Sequence, residues 1–444
     1  MYPKTRLTRS IRRLIMLGLI LIYLIIAPII IAYTAGYRYD FQTGEIKQTG
    51  VLSIDVKPKT AQVFINGALM KESLPIYLPN RAPGSYKIKI SLPGYKDWEK
   101  DILIESKKTA YIKKVTLFKE SLPMEIMKEY AKNILDVSFS PTASFSLITS
   151  EQDGVYEVDL INLNNFSSQT MIRVKADVKP EISWSPFNDF AFVKTTADET
   201  ESMMLFDANN STANKTYDFT KETSGAQWAT ASSIPTLYLK SGGKIISLTT
   251  DNSKELTAAV ADVWYVESEN AIWLKTESKG LVSTDSNGQE TNKIILREET
   301  DKIIDINSSR VITGRGQDTI ITQIEDKKVK ETAIAPTQNI FFNQKTGEWL
   351  AWSPWELWTI YKDGKTALLN RTGEKIDYVL PLDDYGVLLL ASENKITGFN
   401  PGYYITHDLL NNVQIGRIAA NTEQRKIFFF GEVAEKRGLY ELNY

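Results

Sequence analysis

Apolar and polar positions follow three different patterns along the chain. From residue 14 to residue 35 no charged side chain interrupts an apolar run. About 22 residues at ~1.5 Å each span about 33 Å, enough to cross a hydrocarbon core of ~30 Å. The run predicts a transmembrane helix, kinked at Pro28, with Tyr33 and Tyr37 where an interfacial aromatic belt lies. From 45 to 118 the pattern becomes alternating. Leu52, Ile54 and Val56 alternate in GVLSIDVKP, and Val63 and Ile65 in AQVFING. Tyr86, Ile88, Ile90 and Leu92 alternate with Lys87, Lys89 and Ser91. This period, broken by turn signals every ~8–12 residues and by Asn66-Gly67 as a hairpin turn, predicts a small antiparallel β-sandwich. Residues 36–44 are a connector.

The third pattern is a repeat. Units open DVSFSPTASFSLITS at 136, EISWSPFNDFAFVKT at 181, GAQWATASSIPTLYLK at 225 and VADVWYVESENAIWLKT at 260. They continue with KIIDINSSRVITGR at 302, NIFFNQKTGEWLAW at 339, DYVLPLDDYGVLLLAS at 377 and GRIAANTEQRKIFFFG at 416. Each holds a short strand, a polar turn and a second apolar strand, and most run on into a third and fourth. A spacing of about 40 residues suits four-stranded propeller blades. The fold class is therefore mainly β: a transmembrane helix, a small sandwich, then a β-propeller over 133–444. About eight blades are expected, or seven if one unit is degenerate. A solenoid would call for shorter or helical repeats. Residues 119–132 link the two β regions and read either as a helix or as an outer strand. The last unit ends RGLYELNY one strand short, and MEIMKEY at 124–130 is the candidate to complete it.

Charge adds orientation. Lys4, Arg6, Arg9, Arg12 and Arg13 precede the apolar run with no acid among them. The positive-inside rule puts residues 1–13 in the cytoplasm as a basic tail and the rest outside. A cleaved signal peptide is the alternative. It calls for an apolar core of ~7–15 residues and small residues at the cleavage site, which this longer run lacks. The 444 residues carry a net charge of −2, so no whole-chain electrostatic drive toward nucleic acid exists. Cysteine is absent and His407 is the one histidine. Disulfides, thiolate metal sites and cysteine nucleophiles are thereby excluded, and Ser-His-Asp triads have almost no raw material.

Several residues between 45 and 118 resemble the PEGA domain. Pro58 and Ala61 in PKTA, Asn66-Gly67, Leu74-Pro75, Pro83-Gly84-Ser85-Tyr86, and Gly94-Tyr95 with Trp98 follow that family's order of turns and strands. Asn66 stands for the usual Asp and Thr60 for the usual Gly. The resemblance implies a small β-sandwich found in bacterial and archaeal surface proteins, with no general catalytic activity. Pro83, Gly84, Tyr86, Gly94, Tyr95 and Trp98 have structural roles in it. In the repeat region Phe139-Ser140-Pro141 and Trp184-Ser185-Pro186 resemble the opening of TolB-type and WD40-like blades. Trp352-Ser353-Pro354 matches in letters only, because register puts it at the end of a second strand.

Motifs for chemistry are few. Asp207-x-Asn209-x-Ser211 lacks the turn glycine and final glutamate of a calcium loop and reads as a polar loop. Asp285-Ser286-Asn287-Gly288 and Gly314-Arg315-Gly316 read as turns. No nucleophile elbow, zinc-protease or P-loop motif occurs. Catalytic, metal and cofactor residues are therefore expected to be none. Trp349, Trp352, Trp355 and Trp358 form the most distinctive cluster and are the candidate binding residues. Pro354 rules out one continuous strand through them, so EWLAW and LWTIY are adjacent strands joined by an SPWE turn that exposes Trp355.

The expected function is binding or scaffolding in a prokaryotic envelope: a single-pass membrane anchor recognising an envelope protein or glycan, and no nucleic acid. The alternative is a glycan-directed envelope hydrolase with carboxylates at the propeller centre. Converging acids there would favour the hydrolase, and an aromatic-rimmed funnel the binding protein.

Overall fold

A computed structural model describes residues 9–40, 44–126, 133–175, 178–230, 234–256, 260–276, 279–337 and 339–444. The chain divides into two compact units, 1–120 and 121–444.

In the first unit a helix runs Arg9–Thr34 with Pro28 inside it, where the missing N–H leaves the Leu24 carbonyl without its helical donor. The described helix already includes Arg9, Arg12 and Arg13 ahead of the uncharged stretch, in keeping with arginine being a good helix former. It ends at Gly36, whose φ of 83° suits a left-handed cap; its N–H donates to the Tyr33 carbonyl at 3.2 Å. Apolar side chains from Ile11 to Tyr33 point away from protein. The stretch Ile11–Thr34 is long and apolar enough to cross a membrane, by length and composition, as a single-pass anchor or a signal sequence. Tyr37–Asp40 then pairs with Glu45–Gln48.

The sandwich has two sheets. One places Gly50–Lys57 between Ile76–Arg81 and Thr109–Thr116; the other orders Ala68–Leu69, Gln62–Ile65, Gly84–Ser91 and Trp98–Ile104. The expectation of a purely antiparallel sandwich is corrected here. Gly50–Lys57 and Thr109–Thr116 run parallel. A parallel neighbour requires a crossover, and the intervening four-stranded sheet supplies it. The predicted alternation holds: Leu52, Ile54, Val56, Ile88, Ile90 and Trp98 are buried between the sheets. Tyr86 and Tyr95 are half-buried at the edge, with the Tyr86 hydroxyl donating to the Ala82 carbonyl at 2.9 Å. Asn66 and Gly67 turn with φ of 49° and 83°, the two positive values a two-residue hairpin needs. Gly50 is required by space: a Cβ there would lie 2.4 Å from the Glu105 carbonyl oxygen.

The second unit holds, among the described residues, eight four-stranded antiparallel sheets: 133–174, 178–219, 223–256, 264–295, 302–335, 339–371, 378–411, and 413–443 with Met124–Glu125. They are called the first to eighth sheets below. Each opening read from the sequence falls in or just before the first strand of one sheet. Within each of the first seven, strands follow in chain order. In the eighth, Lys436–Asn443 lies between Lys426–Val433 and Met124–Glu125, with Met124 opposite Glu441. Residues 127–130 of the candidate closing segment lie outside the described residues. Apolar clusters fill the spaces between sheets. Leu147, Val158, Val193 and Phe206 join the first sheet to the second, and Val137, Ile148, Phe428 and Leu439 join the first to the eighth. The first strand of the first sheet touches those of the second and the eighth.

Candidate functional site

In these sheets the turns between first and second strands gather at one end, with those between third and fourth. Two of these turns, from the second and sixth sheets, meet. Phe187 packs edge-on against Phe342 with centroids 5.9 Å apart, and Gln344 Nε2 donates to the Pro186 carbonyl at 2.5 Å. Phe342 in turn lies 5.0 Å from the Trp349 ring. Local chemistry holds each turn. Ser185 Oγ accepts from the Phe187 N–H at 3.3 Å, and Asn343 Oδ1 from the Lys345 N–H at 3.2 Å. The turn of the first sheet is tied to that of the second by Thr142 Oγ1 donating to Asp189 at 2.7 Å.

Phe342 lines two cavities, and Phe187 the second of them. The first, about 440 Å³, is lined by the first, sixth, seventh and eighth sheets. Its apolar wall is Phe139, Phe341, Phe342, Tyr378, Leu380 and Ile418. Arg417 and Lys345 are its cations and Glu423 its acid, and Lys345 pairs with Asp384 at 2.8 Å. The second, about 460 Å³, is lined by the second to sixth sheets, including Phe187, Glu267, Asp305, Arg310, Phe342 and Trp349.

Asp305 organises the second cavity. Its Oδ2 accepts from Arg310 Nε at 3.0 Å, Arg310 Nη2 at 2.9 Å and Trp349 Nε1 at 3.1 Å. Its Oδ1 stands 3.3 Å from the Tyr265 hydroxyl, which is 3.0 Å from Thr230 Oγ1. The Tyr265 hydroxyl faces both oxygens as a donor, and its one proton is shared between Thr230 Oγ1 and Asp305 Oδ1. Burial, then the neighbouring Asp305 charge, pushes the Tyr265 hydroxyl far above the ordinary phenol range. Arg310 is 3% exposed and spends Nη1 on the Tyr361 carbonyl at 2.8 Å, bridging the fifth sheet to the sixth. Both acids sit at irregular strand positions. Glu267 is the extra residue between Val266 and Ser268, and Asp305 follows a shift after Ile303. Bulges of this kind re-aim a side chain.

The four tryptophans are not brought onto one surface. Trp349 and Trp358 pack toward the fifth sheet, beside Ile312 and Ile321. Trp352 faces the seventh, among Val379, Leu388 and Phe399, and is buried. Successive strand residues point to opposite faces, which separates Trp349 from Trp352. Trp355 is 54% exposed in the turn between second and third strands, at the end away from the cavities. Ser353 Oγ accepts the Trp355 and Glu356 N–H groups there, at 3.3 and 3.1 Å. Asp207 and Asp285 cap their own turns, accepting from the N–H of Asn209 at 2.9 Å and Asn287 at 2.9 Å. His407 is half-buried on the fourth strand of the seventh sheet. The cavity residues Phe187, Glu267, Asp305, Arg310 and Phe342 were not among the sequence candidates. Arg310 heading the apolar run RVIT, and Asp305 inside KIIDI, were the available signals.

Residues 49–120 match the family model of the PEGA domain. No curated protein matches the chain. Solved structures similar to it include the uncharacterized protein lmo1340 from Listeria monocytogenes EGD-e, at 12% identity and TM-score 0.44, covering 64% of this chain and 96% of that one. BamB from Moraxella catarrhalis is similar at 6% identity and TM-score 0.43, covering 73% and 99%. Dihydro-heme d1 dehydrogenase NirN is similar at 14% identity and TM-score 0.43, covering 64% and 67%. At these scores the likenesses transfer no function.

Proposed function

We propose that the chain is an envelope-associated binding or scaffold protein. It is held by a single-pass, N-in anchor, with its PEGA domain and an eight-bladed β-propeller outside a prokaryotic cytoplasmic membrane. The basic residues before the apolar helix support the orientation. The eight sheets, and the contact of the first with the eighth, support the closed ring. Recognition of a protein or glycan partner is carried by one observation: the aromatic-walled pair of cavities at the turn end. Concave, largely apolar sites with a few placed polar groups are where ligands bind. A hydrolase needs two carboxylates free to act on one bond. In the second cavity Asp305 is already committed to Arg310 and Trp349, which leaves Glu267.

The test uses full-length protein in nanodiscs with fractionated envelope material. Wild type should retain a partner that Phe139→Ala with Tyr378→Ala loses, with a melt that stays cooperative at a lowered midpoint, because Phe139 packs on an apolar cluster and Tyr378 donates to the Gly416 carbonyl. Turnover of glycan that vanishes in Glu267→Gln would overturn the binding reading. Protease added to intact spheroplasts should remove everything after about residue 40 and spare the basic tail; protection until lysis would reverse the orientation.

A further inference from the structure

We infer that the second cavity holds one sugar residue of a neutral glycan. The inference rests on the binding reading above and names a ligand for one of its two cavities.

The charges decide the class. Arg310 and Asp305 cancel each other within the wall, one at 3% and the other at 13% side-chain exposure. The remaining charged groups lining the cavity are Glu267 and Lys362, opposite in sign. The cavity is therefore neutral overall, and a ligand of net charge would gain nothing from it. A neutral ligand with many hydroxyls is matched by what the cavity does offer.

Glu267 is the free acceptor. Among the described residues its one side-chain partner is the Trp273 indole, at the long distance of 3.4 Å. The bulge that makes it the extra residue of its strand also keeps it out of the regular inward-outward alternation. A carboxylate with open lone pairs accepts two hydroxyls at once. Thr230, Ser308 and Ser309 line the same cavity with further short polar groups, as does Asn307, whose Oδ1 accepts from the Ser309 and Arg310 N–H groups.

Three of the remaining lining residues are aromatic. Phe187, Phe342 and Trp349 form a continuous chain of ring contacts at 5.9 and 5.0 Å. All three are only half-buried. The C–H face of a pyranose packs on such rings while its equatorial hydroxyls reach sideways to the carboxylate. The wall is also rigid. Trp349 is held by Asp305, Asp305 by the buried Arg310, and Phe342 by Phe187 from the facing sheet. Preorganisation of this kind lowers the ordering cost of binding. A cavity of about 460 Å³ falls in the range of small-molecule sites.

The experiment titrates full-length protein in nanodiscs with cellobiose, maltose and chitobiose at millimolar concentrations. Binding is followed by tryptophan fluorescence and saturation-transfer NMR, with choline and free lysine as charged controls. At least one disaccharide should bind and the cations should not. Glu267→Gln and Phe187→Ala should each weaken binding roughly tenfold, about 1.4 kcal/mol. Ile295→Ala, 68% exposed on an outer strand, should leave it unchanged. Thermal melts confirm that each variant folds. The inference is overturned if no disaccharide binds, if binding survives both substitutions, or if choline binds in their place. Partner retention in the envelope assay without sugar binding would remove this inference alone; loss of both would remove the binding reading too.

Discussion

The Trp349 indole donates to Asp305 across the boundary between the fifth and sixth sheets, at 3.1 Å. The same oxygen receives both donors of the Arg310 fork. Asp305→Ala therefore strips a buried guanidinium of its counter-charge. The expected loss is about 3–5 kcal/mol, the range for breaking a buried pair from one side. Urea unfolding followed by tryptophan fluorescence measures it. A loss near zero would mean that solvent reaches Arg310.

The eighth sheet depends on its last strand. Lys436–Asn443 carries Met124–Glu125 on one side and Lys426–Val433 on the other. Deleting 438–444 should unfold or aggregate the second unit, because a bare edge and the Phe428–Leu439 cluster are exposed together. Gly431→Ala tests the same sheet with one atom: its Cβ would stand 1.9 Å from the Gln414 carbonyl oxygen. A full melting transition in either variant would argue that the eighth sheet does not support the rest.

Glu201 makes stability depend on pH. Burial pushes its carboxyl up, but hydrogen bonds from Thr223 and Lys194 outweigh burial and leave it below the ordinary 4.5. It accepts from the Thr223 N–H at 2.7 Å and Oγ1 at 2.6 Å, and pairs with Lys194 at 3.1 Å. A depressed carboxyl stabilises fully above its unfolded value and loses that contribution as pH falls through the folded one. Glu201→Gln should be less stable than wild type at neutral pH, and the difference should shrink below pH 4.5. Paired melting curves between neutral and acid pH would show the convergence. Parallel curves would place the pH dependence elsewhere.

Trp352 and Trp355 should behave oppositely. Trp352→Ala empties a buried site and should cost about 3–5 kcal/mol. Trp355→Ala should leave stability within about 0.5 kcal/mol, because an exposed turn residue fills no core. If the partner touches that end, binding should weaken by roughly 1–3 kcal/mol. Unfolding of Trp355→Ala would end its proposed role.

The elements were legible because their periods are. Leu52, Ile54 and Val56 announce a half-buried strand, and the eight openings recur wherever a new sheet begins. The parallel pairing of Gly50–Lys57 with Thr109–Thr116 was not legible, since alternation reports which face is buried and not which strand lies alongside. The cavities were harder still. Phe187 and Phe342 meet only because two distant sheets face each other, and nothing local to either turn encodes that. The tryptophan cluster misled for a related reason: proximity in sequence puts Trp349 and Trp352 on opposite faces of one strand.

Met124–Glu125 has a mechanical consequence. Chain tension arriving from the residues before 121 reaches the second unit at this short pairing before any other sheet. Two residue pairs hold it, against eight between Lys426–Val433 and Lys436–Asn443, so it is the weaker of the two ladders. Under load the eighth sheet would yield first at its outer rim, while the seven sheets before it keep their strands.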